Sequence, residues 1–276
     1  MVRLRAPRAT TLALGIATAL LISAVPSLAE ERIVVGGAGI HIPVMQAVAD
    51  VYNARNPSRP VEVLTKTMGS TGGIRAADAG AVTIGLVSRR PHADEAPRLV
   101  YRAYARTPFI IGVHPDVPIA GVTDAQLCAI FSGRITSWKD VGGPAARIVV
   151  LTRNEDGSKE TIRDQVACFR DLKETPDAVV MTKPSAMNDA LIQRPGTIGL
   201  ADLAALIEAD GRFKPLAFNG VPPSLESLRS GRYPLYKTLG MVTAGEPQGA
   251  VRRFIEFVVG PEGERIMSRH GLVSVR

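Results

Sequence analysis

From Arg32 onwards, short apolar runs alternate with segments whose apolar residues recur at helical spacing. Arg32 to Gly36 reads as a buried strand that ends in glycines, and Val44, Ala47, Val48 and Val51 mark a helix over Pro43 to Asn53. Val61 to Leu64 is the next strand, Ser70 to Ala79 a helix stopped by Gly80, and Val82 to Val87 a third strand. This βαβαβ order calls for an α/β fold, a mostly parallel sheet covered by helices. A strand over Phe109 to Val113 follows.

A second block repeats the pattern. Helices are expected over Asp124 to Phe131, Ser158 to Phe169 and Ala186 to Gln193, with strands over Ile148 to Leu151, Thr197 to Leu200 and Phe213 to Phe218. Tyr233 to Thr243 reads as a long strand, and Val251 to Val259 and Glu262 to His270 close the chain as helices. No long linker separates the blocks, so short hinges must join them.

The first residues do not fit this scheme. Arg3, Arg5 and Arg8 precede an apolar stretch from Leu12 to Val25, then Pro26 and the small-residue site Ser27-Leu28-Ala29. This is the layout of a secretory signal peptide cleaved after Ala29, which implies a periplasmic mature protein. The chain carries 33 Lys plus Arg against 26 Asp plus Glu. Losing the leader's three Arg leaves 30 basic and 26 acidic residues, a mild and scattered charge without aromatic interleaving. A nucleic-acid partner is therefore not expected. Export puts Cys128 and Cys168 in an oxidising compartment, where they form a bridge or stay as two buried thiols.

Four polar segments lie between a strand and a helix: Gly36 to His41, Met68 to Gly73, Ser88 to Arg90, and Arg153 to Ser158. Helix N-termini expose unpaired N–H groups and the positive end of a dipole, so hydroxyl and Arg donors beside them suit an oxyanion. Singly, each is as well read as a turn or a cap. The dinucleotide fingerprint is incomplete, since Ile42 stands where its third glycine belongs, and no GxxxxGK[ST] occurs. No nucleophile motif or acid/base pair is found, and the four His are dispersed, so neither an enzyme, a metal nor a cofactor is expected.

Several stretches resemble the phosphate-binding proteins of ABC importers: Met68 to Pro91, Leu127 to Gly143, Pro195 to Gly199, Asn219 to Pro223, Tyr233 to Leu235, and Phe257 to Gly263, in that order. The resemblance implies a two-lobe periplasmic binding protein of type II-like fold. Each lobe is a mostly parallel sheet flanked by helices, and two crossing segments join them near Phe109 to Val113 and Leu235 to Thr243. Residues 30–112 with 241–276 would form lobe one, and 113–240 lobe two. It implies a monomer that captures inorganic phosphate or a related oxyanion for an inner-membrane ABC permease. A sensor that presents its ligand to a membrane receptor and an exported phosphatase are the alternatives.

Carried over residue by residue, the ligand set is His41, Ser70, Thr71, Ser88, Arg89, Arg153 and Ser158. His41 stands where many relatives have Thr, and Ser88 where the best-known ones have an Asp that accepts the ligand's proton. Lys159-Glu160 replace a Gly-Thr pair, and Thr83 replaces an Asp. If His41 meets the ligand, His41→Thr should change the slope of affinity against pH.

Overall fold

The computed structural model describes Val2, residues 32–155 and residues 157–275. The signal-peptide reading of residues 1–29 lies, Val2 apart, outside them. So does Asp156 in the fourth polar segment. Among the described residues, no helix is long and apolar enough to cross a membrane.

The first block runs β1 (Ile33–Gly37), α1 (Ile42–Arg55), β2 (Val61–Val63), α2 (Gly69–Asp78), β3 (Ile84–Val87) and β4 (Leu99–Val113). The second runs β5 (Gly121–Val122), α3 (Asp124–Phe131), β6 (Val149–Arg153), α4 (Gly157–Gln165), β7 (Val179–Met181), α5 (Pro184–Gln193), β8 (Thr197–Asp202), α6 (Leu203–Glu208), β9 (Lys214–Phe218) and α7 (Leu225–Arg229). The chain returns through β10 (Tyr236–Ala244), α8 (Gly249–Val259), α9 (Pro261–Arg269) and β11 (Val273–Ser274).

The strand order is β2-β1-β3-β10-β4-β8-β6-β7. The βαβαβ start gives the parallel pairs β1–β2 and β1–β3, and β6 pairs in parallel with β7 and β8. The antiparallel contacts come from the two long strands that connect these groups: β10 pairs with β3 and β4, and β4 pairs with β8 and β9.

The packing divides along β4. Its Tyr104 and Ala105 join Ile33, Val35, Val48, Ile84, Leu239, Phe254 and Met267 in one core. Its Phe109, Ile111 and Val113 join Leu127, Trp138, Ile162, Ile198, Tyr233 and Leu235 in another. The other sheet faces are covered too, by Ile74, Val82, Val87 and Val242 in the first group and by Leu151, Met187, Leu191 and Phe213 in the second. Both groups thus bury their sheets on both faces, as parallel strands require.

β4 starts at Leu99, ten residues before the expected strand. Arg102 and Arg106 interrupt its apolar pattern, and Pro108 marks it as broken. Pro108 instead falls where the strand changes partner: Pro108 is opposite Tyr236 of β10, and Phe109 is opposite Asp202 of β8. A missing N–H is tolerated at such a hand-over. The helix expected over Ser158 to Phe169 stops at Gln165. Val166 takes an extended conformation and buries its side chain in the second core, and a single 3-10 turn, Ala167–Arg170, follows. That turn carries Cys168, which is joined by a disulfide to Cys128 on α3.

Candidate oxyanion site between the lobes

The expected polar segment Met68 to Gly73 is mostly helix. α2 opens at Gly69, which has φ +68°, a conformation that costs glycine little. Ser70 is then in the first turn, and its Oγ accepts a hydrogen bond from the Ser88 N–H at 2.9 Å. Ser88 directly follows β3, so this bond fixes the strand end against the helix start.

His41 lies under Ser88. It is fully buried and does not line the cleft. Its Nε2 is 3.2 Å from Ser88 Oγ and its Nδ1 is 2.8 Å from the Tyr104 hydroxyl. Burial first, and the positive charge of Lys237 second, lower the His41 pKa to about 3, against an opposing backbone contact with Val87. The imidazole is neutral at neutral pH. Burial also holds the Tyr104 phenol well above its ordinary range, so it keeps its proton. If Tyr104 donates to Nδ1, the ring proton is on Nε2 and Ser88 Oγ accepts it. Ser88's own proton then goes to some other acceptor.

From the second block, Arg153 ends β6 and donates from Nη1 to the Met181 carbonyl at 3.1 Å. Ser158 is in the first turn of α4, and its Oγ accepts from Lys237 Nζ at 3.1 Å. An ammonium can only donate, so the Ser158 proton also goes to another acceptor. Lys159 is bound to Glu174, whose other oxygen accepts from Thr152 Oγ1 at 2.6 Å. Lys159 thus does not line the cleft.

Ser70, Ser88, Arg153 and Ser158 line one cleft of about 240 Å³, together with Lys237 and Asp202. Gly157 and Ser88 approach closely there: a Cβ on Gly157 would lie 3.8 Å from the Ser88 carbonyl oxygen. Thr71 and Arg89 are outside the lining. Arg89 grips Glu95 with two bonds of 2.6 Å, donates to Thr71 Oγ1 at 3.0 Å, and lies 3.7 Å from Glu160 of α4. The pairing lowers the Glu95 pKa to about 2 and raises that of Arg89. Among the described residues, no group of three or more His, Cys, Asp or Glu side chains is placed to hold a metal.

Sequence reasoning missed Lys237 and Asp202. Lys237 is 5% exposed and Asp202 8%, and Lys237 Nζ is 3.1 and 3.2 Å from the two carboxylate oxygens. Lys237 also lies 4.8 Å from the centre of the Phe109 ring. The available signal was a lone Lys inside an otherwise uncharged strand, a residue type seldom buried without a partner.

A family model described as a PBP superfamily domain matches residues 23–262. The chain belongs to the PBP superfamily. Its similar PBP-type relatives include the phosphate-binding protein PstS of Bacillus subtilis (strain 168), 24% identical over 252 residues, covering 90% of this chain and 82% of the relative. The PstS of Borreliella burgdorferi is 25% identical over 258 residues, covering 90% and 91%. A putative phosphate ABC transporter substrate-binding protein of Clostridium perfringens, solved with bound phosphate, superposes with a TM-score of 0.79 at 24% identity, covering 89% of this chain and all of that one. An ABC-type phosphate transport receptor of Vibrio cholerae gives 0.69, over 88% and 99%. These likenesses establish the two-lobe, type II-like fold for this PBP-superfamily chain.

Proposed function

We propose that this chain is an extracytoplasmic solute-binding protein that captures an oxyanion, inorganic phosphate foremost, and delivers it to an ABC permease. The observation that carries the reading is the convergence of hydroxyl and guanidinium donors from both blocks on one cleft. Ser70 and Ser88 come from α2 and the end of β3, and Ser158 and Arg153 from α4 and the end of β6. Their donors and two helix N-termini match the four oxygens and the charge of a tetrahedral anion. The relatives named above are phosphate-binding proteins, which supports phosphate and a transport role rather than catalysis.

The ligand-contacting set is Ser70, Ser88, Arg153 and Ser158. Thr71 and Arg89 brace it at the rim, and His41 braces Ser88 from beneath. The lobe division expected from sequence, residues 30–112 with 241–276 against 113–240, shifts a few residues towards the N-terminus at both boundaries. The passage of β4 from one core to the other between Ala105 and Phe109, and of the β10 region between Leu235 and Leu239, supports moving the crossings to 106–108 and 236–238. A leader cleaved after Ala29 delivers the mature chain, a monomer, to the periplasm.

Equilibrium dialysis against labelled phosphate tests the reading. Wild type should retain phosphate, while Ser70→Ala and Ser158→Ala should each lose affinity roughly tenfold with folding intact. Undiminished retention by both variants would overturn the site.

A further inference from the structure

The cleft holds a charge that the four-residue donor set does not use. Three cations line it: Arg153, Lys183 and Lys237. Lys183 is exposed and Arg153 half-buried, whereas Lys237 is 5% exposed, on the strand that connects the two lobes. Arg89, the other guanidinium that sequence reasoning favoured, is tied to Glu95 away from the cleft.

We propose that Lys237 is a direct ligand of the bound oxyanion, with Asp202 as the counter-ion that holds its ammonium in place until the anion arrives. This rests on the oxyanion-binding reading above. Lys237 Nζ reaches Ser158 Oγ at 3.1 Å, the hydroxyl assigned to the anion. It also meets both oxygens of Asp202, at 3.1 and 3.2 Å. An ammonium has three donors, and a carboxylate offers it two equivalent oxygens. One of these contacts can pass to an anion oxygen while the other keeps Lys237 and Asp202 paired, so the exchange leaves no buried charge alone. The positive charge also reaches beneath Ser88, where it helps keep His41 neutral. Lys237 thus lies between the donors of the two lobes, on an element that belongs to both.

The carboxylate has the opposite effect. Asp202 lines the same cleft, and its negative charge opposes an incoming anion. Asp202→Asn removes that charge but keeps an oxygen that accepts from Lys237. This predicts tighter anion binding, which reports the carboxylate's repulsion, whereas the loss on removing Lys237 reports the direct contact.

Calorimetric titration of mature wild type and three variants with inorganic phosphate, and separately with sulfate, tests this. Lys237→Met combined with Asp202→Asn leaves no unpaired charge and should fold as wild type does by thermal melting. It should bind phosphate at least about tenfold more weakly. Asp202→Asn alone should bind at least threefold more tightly, and Lys237→Arg should keep most of the affinity. Phosphate binding by the double variant equal to that of wild type, or no tightening in Asp202→Asn, would overturn Lys237 as a ligand and leave the transport reading standing. If wild type took up neither anion, that reading would fail, and this inference with it.

Discussion

Arg153 shows what one residue's surroundings decide. It is held by the Met181 carbonyl, and it lines the cleft beside Ser158. Its guanidinium is the lobe-two cation that sequence comparison singled out. Arg153→Ala should weaken phosphate binding by more than about 1.5 kcal/mol, about tenfold in Kd, by calorimetry. An unchanged Kd would remove Arg153 from the site. His41 is the opposite case. A histidine on a glycine-rich segment reads as a ligand group, but the fold buries it against Tyr104 and Ser88. The distinction was invisible in sequence because Tyr104 lies 63 residues away in a strand stretch that the pattern did not reveal. With a folded pKa of about 3 against an ordinary 6.5, His41 binds fewer protons folded than unfolded across that window. Its contribution is therefore full above pH 6.5 and is lost as pH falls towards 3, by up to about 1.4 kcal/mol per pH unit. Urea melts at pH 7 and 5 should show this loss in wild type and its absence in His41→Gln. His41→Thr should leave the pH slope of phosphate affinity between 5.5 and 8 unchanged, as expected of a His41 that does not meet the ligand. A changed slope would place His41 in contact with the ligand.

At the scale of elements, short apolar runs and helical spacing revealed β1, α1, β2, α2 and β3 nearly residue by residue, because each buries a continuous apolar face. Hidden elements were those whose pattern was set by a neighbour. The first ten residues of β4 carry two Arg, and α6 and α7 are single short turns without a periodicity of their own. The glycines around Ser70, read from sequence as a turn or a cap, have a packing meaning. A Cβ on Gly73 would lie 2.7 Å from the Leu86 carbonyl oxygen, and one on Gly85 would lie 2.4 Å from that of Gly73. α2 can thus sit on β3 only with both side chains absent. Gly73→Ala should push Ser70 away from Ser88 and weaken phosphate binding, with a lower Tm; wild-type values for both would refute this close packing. The Cys128–Cys168 bridge closes a separation of 40 residues, worth about 4 kcal/mol in the chain-entropy model. Cys128→Ser with Cys168→Ser should therefore lower Tm by roughly 10 °C in a calorimetric scan, without changing Kd.

The whole molecule is two double-sided α/β layers that share the strands β4 and β10, with the donors placed where the layers meet. Much of this could be read from strand and helix order. The cleft floor could not, because Lys237 and Asp202 are 35 residues apart and meet only through the pairing of β10, β4 and β8. Across the cleft mouth, Arg89 and the partly exposed Glu160 are 3.7 Å apart. A ligand bound only by the folded state stabilises it by about 2.7 kcal/mol at a hundredfold excess over Kd. Calorimetric titration of the mature chain with phosphate, alone and in excess sulfate, decides whether this cleft captures phosphate. Saturation at one phosphate per chain, withstanding sulfate, is expected. Absence of saturable heat, or equal displacement by sulfate, would contradict a phosphate-capturing cleft.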